Sequence, residues 1–134
     1  MTNDADIIKM LRAAKTIAVV GLSSKRLRPS NGVAAYMQQQ GYRIIPVNPL
    51  ETEVLGEKAF ASLGEVPGKI DIVDVFRQSD AVPGIVEEAI AVGAPYLWLQ
   101  EGVIHEAAAA RARAAGLKVV MDRCILVEHR RLML

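Results

Sequence analysis

The chain has 134 residues, of which 51% are hydrophobic, 23% charged and only 4% aromatic; this is the composition of one ordinary globular domain with an aliphatic core, and it excludes a disordered, collagen-like or coiled-coil chain. Sixteen basic residues against fifteen acidic ones leave a formal charge of +1, which excludes a polybasic surface built for nucleic acid or lipid headgroups, so any anion site must be local.

The apolar pattern alternates short runs with longer helical stretches. Asp4 or Asp6 is placed to cap an opening helix that runs to about Ala14, with Ile7, Ile8 and Leu11 on one face. Thr16 to Val20 is a continuous apolar run ending at Gly21, the signature of a strand buried on both faces. A polar, basic loop follows from Leu22 to Asn31, and a second helix is predicted from Ser30 or Asn31 to Gln40, stopped by Gly41. Tyr42–Val47 reads as a strand ended by Asn48 and Pro49. Residues 51–60 read as a turn with a short edge strand, and a short helical turn is expected near Leu63. Strands are predicted at Ile70–Phe76, Tyr96–Gln100 and Leu117–Met121. Helices are predicted at Ala81–Ala91, where Pro83 is tolerated in the first turn, at Ile104–Ala115 and at about Cys124–Leu132.

Alternating strands and helices call for a parallel sheet with right-handed crossovers. The expected fold is α/β: a single Rossmann-like three-layer domain over residues 1–134, with a mainly parallel sheet of five to six strands and the glycine-ended first strand at its centre. Ligands of such sheets bind beyond the carboxyl ends of the strands, which directs attention to Gly21–Asn31, Asn48–Pro49, Phe76–Gln78 and Gln100–Val103.

The first of these ends carries phosphate chemistry. Gly21 permits a tight turn, and the following helix offers unpaired N–H groups and its dipole to an anion. Ser23, Ser24 and Ser30 add hydroxyls, while Lys25, Arg26 and Arg28 place three cations in four positions. The same composition also suits a solvated connecting loop. Positions 23 and 26 hold Ser and Arg where G-x-G-x-x-G needs glycine, and no P-loop motif is present. At the second strand end Asn48 is neutral, where an NAD site usually holds a carboxylate; Glu51 and Glu53 come too late to be its simple equivalent.

Taken in order, five segments resemble the small bacterial CoA-binding domain proteins, relatives of the CoA-binding domain of the succinyl-CoA synthetase alpha subunit. They are Val20-Gly21-Leu22-Ser23 through Arg28-Pro29-Ser30, Gly41 through Pro49, Asp74-Val75-Phe76-Arg77, Leu97 through Gly102, and Asp122-Arg123-Cys124. The resemblance implies a Rossmann-type fold binding coenzyme A or an acyl-CoA. By it, Gly21, Leu22, Ser23, Ser24, Lys25, Arg28, Pro29 and Ser30 would contact the phosphates, and Asn48 and Pro49 would line the adenosine side. Phe76 and Arg77 would flank the cofactor, and Gln100, Glu101 and Gly102 would lie along the pantetheine arm.

The synthetase carries a phosphorylated histidine on a second domain that this length does not accommodate, so ligase activity is not expected. His105 and His129 fall in predicted helices with structural or surface roles. Cys124 reads either as a small residue packing the last helix or as a thiol activated by a helix N-terminus and Arg123, able to form a mixed disulfide with CoA. Asp122 is a candidate cap for that helix. Asp71 and Asp74 do not form a convincing acid/base pair, and Trp98 reads as core or interface. The resulting expectation is a CoA-binding carrier or sensor without catalysis of its own; the alternative is a small NAD(P)- or acyl-CoA-dependent enzyme. A lone cysteine and the absence of a signal-peptide pattern or a long apolar run further imply a cytoplasmic protein without a membrane or nucleic-acid partner, with a homodimer left open.

Overall fold

The computed structural model describes residues 2–134; Met1, part of the predicted domain, lies outside the described residues. Helix α1 (Asp4–Ala13) is capped by Asn3, whose side chain accepts from the Asp6 N–H, rather than by either aspartate. Asp4 and Asp6 instead stand in the first turn, where their charge complements the helix dipole. Strand β1 (Thr16–Val20) follows, then α2 (Pro29–Gln39), which begins earlier than predicted. Proline's fixed φ suits the first helical position, and that moves the start forward from Ser30.

After β2 (Arg43–Val47) the expected short edge strand takes a different form. β3 (Glu53–Val54) and β4 (Glu57–Lys58) pair with each other as an antiparallel hairpin. Only Phe60 reaches the main sheet, through a single parallel bridge to Val47. Strand β5 is shorter than the predicted Ile70–Phe76, spanning Ile72–Val75. Its predicted start is diverted because the Asp71 carboxylate accepts from the N–H groups of Lys15 and Thr16 at 2.8 and 3.0 Å. The chain continues through α3 (Val82–Ala91), β6 (Tyr96–Leu99), α4 (Glu106–Ala114), β7 (Lys118–Val120) and α5 (Ile125–Met133).

The main sheet has five strands, all parallel, in the order β2-β1-β5-β6-β7. The central strand is therefore β5, not β1. Strand order reverses between β1 and β5, so the crevice of this doubly wound sheet lies at their carboxyl ends. Side chains alternate between faces. Ala18, Val20, Val73 and Val75 pack under α3 and α4, while Ile17, Val19, Ile72 and Trp98 pack under α1, α2 and α5. Each fully buried aliphatic side chain contributes roughly 1.5–3 kcal/mol. Ala108, Ala109 and Ala112 let α4 lie close on the sheet, whereas Ala107 and Ala110 face solvent.

Strand register prepares the site. Val20 pairs with both Val47 and Val75, and Val75 pairs with Leu99. The carboxyl ends of four strands are therefore level, and the next residues, Gly21, Asn48, Phe76 and Gln100, stand in one row above the sheet.

Candidate functional site

A cleft of about 930 Å³ opens above this row, at the upper end of the ~300–1,000 Å³ typical of small-molecule sites. It brings together the predicted residues Gly21, Ser23, Ser24, Lys25, Arg28, Pro29 and Ser30 from the first strand end. Asn48, Phe76, Arg77, Gln100 and Glu101 join them from the other three. Pro49 lines a neighbouring cavity instead. Leu22 is fully buried in the core beneath α1 and α2. Gly102 lies outside the cleft lining, its N–H donating to Asp122 Oδ1 at 2.7 Å.

Gly21 sits at the point of closest approach between strand ends. Its φ is +89°, and a Cβ there would stand 2.4 Å from the Phe76 carbonyl oxygen. Only glycine permits both the left-handed turn and that contact. Its N–H continues the ladder to Val47 O at 2.8 Å, and Phe76 N–H does the same to Val20 O at 2.8 Å.

The loop after Gly21 is held by its own side chains. Buried Ser30 accepts from the Ser23 N–H through Oγ at 3.1 Å, and Asn31 Nδ2 donates to Ser23 O at 2.9 Å. Ser23 Oγ accepts from the Lys25 N–H at 3.1 Å. Asn48 Nδ2 donates to Leu22 O at 3.1 Å, which ties the second strand end to the same loop. Helix α2 starts here with Arg28 at its N-cap, no side-chain cap bond and no acidic residue in its first turn. By contrast, α1, α4 and α5 each carry an acid in the first turn. The N-terminus of α2 therefore keeps its positive dipole end uncompensated at the cleft; α3 also lacks a first-turn acid. Among the described residues, Lys25, Arg28 and Arg77 take part in no ion pair.

The cleft includes residues that sequence reasoning did not place there. Glu51 comes too late to match an NAD site, yet Oε2 reaches back to accept from the Ser24 N–H at 2.8 Å. Leu50, Gln78 and Val103 also contribute. Nothing local in sequence marks them; they enter because the four strand ends are level. Cys124, half-buried, lines the cleft as the N-cap residue of α5. Asp122 does not cap that helix: φ of +61° turns its side chain to Gly102, and Gln100 Oε1 accepts from the Ile125 N–H at 3.0 Å.

The remaining chemical candidates lie elsewhere. His105 is the N-cap of α4, its Nδ1 accepting from the Ala108 N–H at 3.1 Å. His129 is buried, 2.8 Å from Tyr36 Oη through Nδ1, and burial holds its imidazole below the ordinary histidine value. Trp98 is fully buried and donates to Arg123 O at 2.8 Å. Asp74 is buried on the central strand, far in role from Asp71 at the opposite strand end, and burial pushes its carboxyl well above the usual range. Among the described residues no cluster of three or more His, Cys, Asp or Glu is arranged to hold a metal, and no helix is long and apolar enough to cross a membrane.

Comparison with known proteins adds to this geometry. A family model described as a CoA binding domain matches residues 15–130. The uncharacterized protein YneT of Bacillus subtilis is 48% identical over 125 residues, covering 93% of each chain. A hypothetical protein from Pyrococcus horikoshii superposes with a TM-score of 0.96 at 40% identity, over 98% of this chain and 93% of that one. An ADP-forming acetate–CoA ligase of Archaeoglobus fulgidus is 27% identical over 81 residues, which is 59% of this chain and 12% of the ligase.

Proposed function

The chain belongs to the CoA-binding domain family, and from that premise we propose that it binds coenzyme A as a carrier or sensor without catalysis of its own. The observation that carries this reading is the grouping of hydroxyls, open helix N-terminus and unpaired cations at the β1/β5 crevice. CoA presents a pyrophosphate and a 3′-phosphate, and charge-assisted hydrogen bonds from such donors are its natural partners. The Gly21–Ser30 loop takes the phosphates, with Arg28 reading the 3′-phosphate. Asn48 and Pro49 line the adenosine, Phe76 and Arg77 flank the cofactor at the third strand end, and Gln100 and Glu101 follow the pantetheine arm toward Cys124.

The side chains around the cleft suit binding rather than turnover. The two histidines are committed elsewhere, one as a helix cap and one beside Tyr36. Glu51 accepts from the Ser24 N–H in the same cleft as Lys25 and Arg28, where holding a phosphate and abstracting a proton would conflict.

Titration calorimetry with CoA, dephospho-CoA, NAD and ATP tests the proposal. CoA should bind best, and loss of the 3′-phosphate or the Arg28→Ala substitution should weaken binding about tenfold or more, the value of a hydrogen bond to a charged group. No heat with CoA, together with clear NAD binding, overturns the reading. Cofactor-dependent turnover by the purified protein on an acyl-CoA and aldehyde panel would favour the enzyme alternative.

A further inference from the structure

The loops after β1 and β2 leave the sheet side by side, since Val20 pairs with Val47. Each opens into a tight turn. The Arg28 N–H donates to Lys25 O at 3.0 Å and closes the turn 25–28. The Glu51 N–H donates to Asn48 O at 3.2 Å and closes the turn 48–51, where the Leu50 N–H also donates to Asn48 Oδ1 at 3.0 Å. The third residue of each turn is a leucine. Leu27 is 100% exposed and Leu50 89%. Turns favour Gly, Asn, Asp and Ser for the conformations and local hydrogen bonds these residues supply. A leucine out in water at such a tip adds nothing to the fold.

The two tips are fastened to one end of the molecule. The Ser24 N–H donates to Glu51 Oε2 at 2.8 Å, and Asn48 Nδ2 donates to Leu22 O at 3.1 Å, so each loop holds the other. Among the described residues five large hydrophobic side chains are exposed, and three of them, Leu27, Leu50 and Ile104, lie in loops that follow strand ends on this side. An exposed leucine by itself is ordinary, but Leu27 is set among charges of one sign. Lys25, Arg26 and Arg28 are all exposed, and among the described residues none takes part in an ion pair. The acid of the second turn, Glu51, is engaged with the Ser24 N–H. Arg26 and Leu27 do not line the cleft, so the CoA reading gives them no task.

Apolar tips flanked by cations match an anionic lipid surface, where leucine enters the acyl boundary and the cations meet headgroup phosphates. A rigid protein surface would need a pocket shaped for each tip, whereas a bilayer yields to both. We propose that the turns 25–28 and 48–51 dock this protein on an anionic lipid surface, with Leu27 and Leu50 inserted and Lys25, Arg26 and Arg28 on the headgroups. Two turns suffice for this contact, so it requires neither a polybasic face nor a spanning helix. The proposal is independent of what fills the cleft.

Sedimentation of the whole protein with vesicles of phosphatidylcholine alone, and of phosphatidylcholine with phosphatidylglycerol, tests it. The protein should sediment with the mixed vesicles, not with phosphatidylcholine alone, and salt should release it. Arg26→Gln should lower the affinity for mixed vesicles about fivefold, the value of one basic residue near an anionic surface. Leu27→Ser and Leu50→Ser should each lower it by a similar factor of about five, as expected for a partly buried leucine. All three side chains are exposed, so the urea midpoints of the variants should equal that of the wild type, which separates lost docking from lost folding. Calorimetry with CoA should read the same for the wild type, Arg26→Gln and Leu27→Ser, so docking and the CoA reading fail separately. Absence of binding to the mixed vesicles overturns the proposal and leaves the leucines to a protein partner. Binding that survives both leucine substitutions unchanged overturns the insertion of the tips.

Discussion

Glu51 presents a carboxylate to the Ser24 N–H at 2.8 Å, beside Lys25, Arg28 and Arg77 in the same cleft. A phosphate entering there competes with Glu51 for that amide and is repelled by its charge. Glu51→Gln should therefore bind CoA about two- to fivefold more tightly than the wild type, a modest gain because an exposed charge is screened by water and salt. Calorimetry at low and high salt checks this; unchanged affinity at low salt would remove Glu51 from the phosphate's path. The residue also shows where sequence reading stops. Gly21, Ser23 and Asn48 were legible because each stands just past an apolar strand run, and Ser30 because it opens the helix after the basic loop. Glu51 was not, since it returns to the site across a loop. Its approach is a tertiary distance that no local pattern encodes. Leu22 differs from its neighbours: it lies in the matching segment, but its side chain is buried in the core.

At the scale of elements, α2 and α5 bring their N-terminal ends to the cleft, through Arg28–Ser30 and through Cys124. They are fastened by Tyr36 on α2 and His129 on α5, 2.8 Å apart, with Tyr42 edge-on to the same imidazole. Burial lowers the affinity of the folded His129 for a proton. The unfolded chain then takes up the proton first on acidification. The stability this group contributes is full above the ordinary histidine value of about 6.5 and is lost as pH falls below it toward the folded value. The urea midpoint of the wild type should fall between pH 7.5 and 5.5, and should fall less in His129→Phe, which keeps a ring against the two tyrosines. Equal slopes would show that His129 is not the titrating group. The strand and helix order was readable from the apolar periodicity, and the main differences arose at ends. Asn3, Pro29, His105 and Gln100 set helix starts through caps, a fixed φ or a long-range hydrogen bond. The β3–β4 hairpin was less legible, because two-residue strands carry almost no periodicity.

Across the whole molecule, the parallel sheet buries one carboxyl at its centre. Asp74 is 1% exposed between Val19 and Trp98, and among the described residues its Oδ1 has no hydrogen-bond partner. Leaving such a group unsatisfied costs about 1–3 kcal/mol, in a fold whose other sheet residues are almost all apolar. Burial raises the folded pKa of Asp74 above its unfolded value, so the folded state holds its proton longer. The stability linked to this group is present below the ordinary carboxylate value of 3.8 and is lost as pH rises through the folded one. Asp74→Asn should therefore be more stable than the wild type at neutral and alkaline pH, by about 1–3 kcal/mol, with the difference shrinking on acidification. His129 acts with the opposite sign, since its contribution disappears as pH falls. On acidification, one buried group on the sheet and one on the helical layer packed against it therefore act in opposite directions. Asp74→Asn alone should steepen the acid-side loss of stability that His129 produces, and adding His129→Phe should flatten it again. Denaturant titrations of the four proteins across pH 4–8 separate the two contributions; a single Asp74→Asn variant with the pH profile of the wild type would show that Asp74 carries no proton the unfolded chain lacks.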